Sequence, residues 1–293
     1  MPQSAIAVLT HSGGTLYSVR RLIEEGAKLG KRVIALNPLQ CGILLGSDKP
    51  TFYIGRSRSI ALEAALPRLG GGLTSHDLHI IRQLELCGIP LVNKEHAILL
   101  CRDKTKTLQA LSSLGIPIPR TAIFRRSGNV ESLIERVGGL PVIIKIPDGT
   151  HGRGVNLCRT IDSVRGVADT LWHLDKDILI QEFLVGGHRD IRVIVIGGKV
   201  IGAMERLAKA GDFRANFHQG GSGKSYRVTA PLRQISEKAS SALGLDVAGI
   251  DCIKTKKGYK VIEVNASPGF AGFEMVTGIN AAGAIMEYIA GKL

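Results

Sequence analysis

The chain has 293 residues, 44% hydrophobic and 22% charged, which is more than one simple domain needs and suits two or three packed lobes. Its 38 Lys and Arg against 25 Asp and Glu leave a net charge of +13, a surplus that draws polyanions: nucleotides, nucleic acid or acidic peptides. Aromatic residues at 4% and basic residues spread without a block disfavour a dedicated nucleic-acid binder, and no run reaches the roughly 18 apolar residues of a membrane span.

Five scattered cysteines (Cys41, Cys87, Cys101, Cys158 and Cys252) contain no close pair, so neither a disulfide framework nor a zinc knuckle is expected, and a reduced, cytoplasmic setting is. The first residues read as a buried strand rather than a secretion signal.

In chain order, Ile6–Thr10 predicts a strand, Tyr17–Leu29 an amphipathic helix closed by Gly30, and Arg32–Leu36 a second strand. Gly70-Gly71-Gly72 interrupts the chain, a helix is expected over Asp77–Cys87, and Pro90–Asn93 reads as a strand. This alternation predicts a parallel sheet covered by helices. Cys101–Leu114 predicts one helix, stopped by Gly115-Ile116-Pro117-Ile118-Pro119. Beyond about residue 117 hairpins dominate. Strands are expected at Val142–Ile146, Ile178–Phe183, Ile191–Ile196 and Lys199–Met204, with Gly197-Gly198 as the turn between the last two. Val247–Lys254 and Tyr259–Val264 form another pair, and a helix follows Gly278. The expected divisions are an N-terminal α/β domain (1–97), a connecting helix (98–116), a small lobe (117–187) and a C-terminal lobe (188–293).

The last hairpin carries the sharpest chemistry. A three-residue loop, Lys256-Lys257-Gly258, places Asp251 opposite Glu263, and Asn265 shares the face of Glu263. Two carboxylates and an amide oxygen suit a hard cation such as Mg²⁺. Acids in such apolar strands are costly without charged partners or a metal. Upstream, Lys145 is the one charge on the apolar strand Val142–Ile146 and precedes a loop containing Gly149, Gly152 and Gly154. Glycines admit phosphate to backbone N–H groups, and a lysine on a rigid strand supplies a point charge. Gly220-Gly221-Ser222-Gly223-Lys224-Ser225 ends like a Walker A motif, but His218 stands where its first glycine belongs, so it is rejected as a P-loop. The polar stretch from Gly211 to Gly221 reads as a loop for contacting anions.

Taken together, several motifs resemble the RimK-like glutamate ligases of the ATP-grasp superfamily. They are Gly14-Thr15-Leu16-Tyr17-Ser18, Arg102-Asp103-Lys104, Gly138-Gly139, Gln181-Glu182, Gly211-Asp212-Phe213-Arg214, Asp246–Asp251 and above all Glu263-Val264-Asn265-Ala266-Ser267-Pro268-Gly269. The resemblance implies two α+β lobes gripping ATP behind an N-terminal α/β domain. It implies that Lys104 and Lys145 contact phosphates, that Glu182 and Phe183 bind adenine and ribose, and that Asp190 with Arg214, Ala215 and Asn216 completes the nucleotide site. Asp251, Glu263 and Asn265 would hold two Mg²⁺ (or Mn²⁺) ions, with Glu263 bridging them. Arg206 and Arg214 are candidate clamps for an acceptor carboxylate or the transition state. The implied reaction joins L-glutamate to a carboxylate through an acyl phosphate, releasing ADP and phosphate. An acidic peptide, a ribosomal-protein C-terminus or oligoglutamate is the expected acceptor, and the enzyme is expected to be a homo-oligomer. The alternatives are a coenzyme or amino-acid-biosynthesis acceptor, or a non-enzymatic basic protein associated with ribosomes or RNA.

Overall fold

A computed structural model describes residues 4–46, 51–55, 61–125, 129–146, 154–186, 189–208 and 222–293. The apolar run Ala5–Leu9 is β1, fully buried, at the centre of a three-stranded parallel sheet between β2 (Val33–Leu36) and a later strand, Leu62–Pro67. Between β1 and β2 runs α1 (Tyr17–Lys28), which buries Val19 and Leu22. A hairpin of β3 (Cys41–Leu44) and β4 (Thr51–Ile54) precedes Leu62–Pro67, which is β5. Helix α2 (Ser75–Leu86) starts with a capping box in which Thr74 and Asp77 satisfy each other's groups.

Two expectations are corrected in this region. Pro90–Asn93 forms only an isolated parallel bridge, Ala65 to Leu91, because Asn93 turns its amide to other partners: it donates to the carbonyls of Val247 (2.8 Å) and Ala266 (2.7 Å) and accepts from Val247 N–H. The single helix over Cys101–Leu114 is two, α3 (Glu95–Arg102) and α4 (Lys104–Ser113). Asp103 separates them in extended conformation, its carboxylate capping the Lys106 N–H of α4.

The next sheet has four antiparallel strands in the order β6 (Thr121–Phe124), β9 (Ile178–Glu182), β7 (Val142–Lys145), β8 (Val155–Cys158). Helices α5 (Val130–Val137) and α6 (Ile161–His173) cover one face, against Val142, Ile144, Ile178 and Ile180. By alternation, Ile143, Lys145 and Gln181 belong to the other, helix-free face.

Five antiparallel strands form the last sheet, in the order β12 (Ser222–Ser225), β11 (Lys199–Leu207), β10 (Arg189–Ile196), β13 (Val247–Thr255), β14 (Gly258–Asn265). The Gly197-Gly198 turn joins β10 to β11, both residues at positive φ (57° and 75°), as a two-residue turn requires. The segment Ser222–Ser225 is an edge strand rather than a strand-to-helix turn, in keeping with its rejection as a P-loop. Helix α7 (Ala230–Ala242) packs on one face, over Ile191, Val193, Ile250 and Cys252. Against part of the opposite face lie α8 (Ala271–Thr277) and α9 (Ala281–Ala290), with Phe270, Phe273 and Met286 buried beside Ile194 and Met204. Each such side chain contributes roughly 1.5–3 kcal/mol when buried. The helix expected from Gly278 starts three residues later, because Gly278 is the left-handed cap of α8 and Asn280 caps α9. All five cysteines are free. Among the described residues no helix is long and apolar enough to cross a membrane.

Candidate active site

Where α8 and α9 end, the open part of the five-stranded sheet carries a row of charged cross-strand pairs. Arg206 on β11 stands opposite Asp190 on β10, Arg192 on β10 opposite Asp251 on β13, and Asp251 opposite Glu263 on β14. Asn265 follows two residues after Glu263, opposite Gly249. These side chains, with Lys145 and Lys104, line a cavity of about 1030 Å³ between the two antiparallel sheets and the N-terminal domain.

The charges are tightly paired. Arg206 grips Asp190 with two hydrogen bonds, Nε and Nη2 each at 2.6 Å, and Nη2 also lies 2.9 Å from Asp251. Arg192 holds Asp251 through Nε and, at 2.7 Å, through Nη2. Burial alone would raise the Asp251 carboxyl, but Arg192 and Arg206 hold it below the usual carboxylate range. Asp190 is pushed up, to about 6, by burial and the negative charge of Asp251, against the opposing pull of Arg206. The Arg206 fork is thus filled by the protein's own carboxylates, which makes it a residue that positions Asp190 and Asp251.

Across the cavity, Lys145 ends β7, and Lys104 opens α4. Burial pushes the Lys145 ammonium down, opposed by the negative charge of Glu263. Lys104, Lys145 and Glu263 line one small pocket together, so two cations from separate elements converge on one carboxylate. Gly154 pairs its carbonyl with Ile146 N–H at 3.1 Å, at φ 74°, and a Cβ there would lie 2.8 Å from Ile146, so the loop after Lys145 closes only with glycine at this point. Glu182 accepts hydrogen bonds from Arg120 N–H (2.9 Å) and from Lys260, while Phe183 and Leu184 line the same cavity. Gly152, Arg214, Ala215 and Asn216 lie outside the described residues, as does the anion-contacting loop of 211–221.

The donor set tests whether a metal fits. Asp251, Glu263 and Asn265 offer only oxygen donors on one face, the chemistry of a hard divalent cation. Each Asp251 oxygen spends a lone pair on an arginine and keeps another. Among the described residues no three His, Cys, Asp or Glu side chains cluster, since the third donor here is an amide.

Arg192 escaped the sequence reading. In the strand Arg189–Ile196 it looks like ordinary alternation, and only its register against Asp251 reveals the pairing. The one available hint was an acid and a base two residues apart, Asp190 and Arg192, in an otherwise apolar strand.

Known proteins match this architecture throughout. Residues 5–98 match the family model of the RimK PreATP-grasp domain and residues 101–289 that of the RimK-like ATP-grasp domain. Proteins named probable alpha-L-glutamate ligase from Serratia proteamaculans (strain 568) and Thioalkalivibrio sulfidiphilus (strain HL-EbGR7) are each 39% identical over 285 residues, 97% of this chain and 95% and 94% of theirs. A crystal structure of a RimK domain protein ATP-grasp from Sphaerobacter thermophilus DSM 20745 covers 97% of this chain and 99% of its own, with TM-score 0.75 and 23% identity. The ATP-grasp ligase PsnB, complexed with a phosphomimetic variant of minimal precursor, Mg and ADP, covers 100% of this chain and 99% of its own at TM-score 0.79 and 19% identity. At these identities the two structures bear on the fold, and the family models with the curated relatives settle membership: the chain belongs to the RimK-like ATP-grasp family.

Proposed function

We propose that this protein joins the amine of L-glutamate to a carboxylate at an acidic chain end, peptide or oligoglutamate, through an acyl phosphate. It is an ATP-dependent carboxylate–amine ligase that releases ADP. The names of its 39%-identical relatives support glutamate as the amino acid, and the net charge of +13 supports an acidic acceptor.

The observation that carries the reading is the placement of Asp251, Glu263 and Asn265 on one sheet face, across a cavity from Lys104 and Lys145. In this reading Asp251, Glu263 and Asn265 hold Mg²⁺, two ions bridged by Glu263, which supply neutralising charge to the phosphate oxygens. Lys145 and Lys104 add fixed positive charge at the transferring phosphoryl group. Glu182 and Phe183 border the adenine and ribose, with Gly152 and Gly154 cradling phosphate. Asp190 belongs to the nucleotide site through Arg206, while Arg214, Ala215 and Asn216 complete it.

The γ-phosphoryl group passes to a carboxylate oxygen of the acceptor as the bond to ADP breaks. The amine of glutamate, having lost a proton, then attacks the acyl carbon and phosphate leaves. No protein nucleophile takes part, and burial between the lobes keeps water from the intermediate.

The test is ADP release by the purified protein with ATP and Mg²⁺. Release should require both glutamate and an acidic peptide, and release indifferent to either would contradict the proposal.

A further inference from the structure

Arg68 follows β5 directly, at the carboxyl ends of the parallel strands β1 and β5. From β1 the chain moves to β2 on one side, while β5 lies on the other, so the topology switches direction between β1 and β5. In open α/β sheets ligands bind in the crevice at such a point, outside the carboxyl ends of the strands.

The Arg68 side chain is 8% exposed and stands in the wall of the large cavity. Its Nη2 donates to the Pro268 carbonyl at 2.7 Å, and the guanidinium lies over the Phe270 ring, 5.3 Å from its centroid. Nε and Nη1 are out of contact with water and find no hydrogen-bond partner. Burial pushes this guanidinium down, to about 10. A buried cation without an anion is expensive, and other buried arginines here, Arg206 above all, are paired with carboxylates. Among the described residues Arg68 has no ion pair, and its neighbours in the wall (Tyr17, Gly70, Ser267, Gly269) bring no negative charge.

We propose that Arg68 anchors a carboxylate of the amine-donating amino acid. Three residues separate Asn265 from Pro268, which span at most roughly 11 Å of chain. A carboxylate held by Arg68 and an amine near the acyl carbon can therefore belong to one small amino acid. On binding, the fork turns from the Pro268 carbonyl to the carboxylate, exchanging a neutral acceptor for a charged one. The inference rests on the ligase reading above, and it assigns the amino-acid side of that site to the N-terminal domain.

Two measurements test it. The first titrates the wild-type protein, with ADP and Mg²⁺, against glutamate, glutamine and isoglutamine. The amide replacing the anchored carboxylate should bind about tenfold or more weakly: glutamine if Arg68 takes the side-chain group, isoglutamine if it takes the α-carboxylate. Equal binding of all three overturns the anchor.

The second compares KM values. Arg68→Gln should raise the KM for glutamate about tenfold or more, leave that for ATP unchanged and erase the penalty of the amide, with Arg68→Lys between the two. An unchanged glutamate KM, or an equal rise in both KM values, overturns the proposal while the ligase reading stands. A wild type that binds glutamate with this amide penalty but makes no amide sinks the ligase reading and leaves the anchor. If the variants do not fold, the wild-type amide series decides.

Discussion

Asp251 stands directly opposite Glu263, although the ladder between their strands slips by one residue immediately beyond them. The turn is tighter than the three-residue loop read from the sequence: Thr255 pairs with Gly258 around Lys256-Lys257. An irregularity between Asp251 and Cys252, where Cys252 pairs with Val261 and Ile262 is skipped, restores the register. A slip of one residue without it would turn one carboxylate to the far face.

Removing the charge of Glu263 should therefore stop the reaction without unfolding the chain. Glu263→Gln is expected to lower kcat by at least about a hundredfold, roughly 2.7 kcal/mol of barrier. Its circular dichroism and melting temperature should match the wild type. Near-normal ADP release would remove the metal-site reading.

Lys145 occupies the helix-free face of β7, with its charge costly to bury and favoured by Glu263. Lys145→Ala should raise the KM for ATP and lower kcat together, since the lysine meets phosphate in both ground and transition states. Fluorescent-nucleotide binding and steady-state kinetics check this, and unchanged ATP affinity would leave the phosphate site without its lysine.

Arg206 acts through carboxylates that it orients. Arg206→Ala leaves Asp190 and Asp251 facing each other in a buried setting and should cost roughly 3–5 kcal/mol of stability. Arg206→Lys should recover only part of this, because a point charge cannot reproduce the fork, and it should raise the Mg²⁺ concentration needed for half-maximal rate. Urea denaturation and a Mg²⁺ titration read the two effects. Full recovery by lysine would show that charge alone matters here.

Asn93 ties the N-terminal domain to the sheet that carries the site, bonding to Val247 and to Ala266 just beyond Asn265. Asn93→Ala strands buried backbone groups and should cost at least about 2 kcal/mol, seen as a fall in melting temperature of roughly 4–8 °C. No change in melting temperature would mean that water replaces the amide.

Much of this was legible in the chain itself. Alternation placed Asp251, Glu263 and Asn265 on one face, glycine pairs marked the β10–β11 turn, and the lone Lys145 marked β7 as unusual. Roles that depend on non-local pairing were hidden. Arg192 is unremarkable until β10 is laid against β13, and Arg68 looks like the polar end of β5 until Pro268 and Phe270 pack around it. The break between α3 and α4 was missed because the flanking apolar positions stay helical in period while Asp103 alone leaves the helix. The pairing of Arg206 with Asp190 was missed for the same reason as Arg192: a free arginine and a paired one read alike in a sequence.

The central claim is the addition of glutamate to an acidic chain end, and mass spectrometry reads it directly. The purified protein is incubated with ATP, Mg²⁺, an equimolar mixture of the amino acids, and matched acidic and neutral peptides at low salt. The account predicts glutamyl additions on the acidic peptide, one ADP released per addition, and an acceptor KM that climbs with salt faster than that of glutamate, as screening of a multiply charged partner requires. Preferential addition of another amino acid such as lysine, or equal use of the neutral peptide, would contradict it.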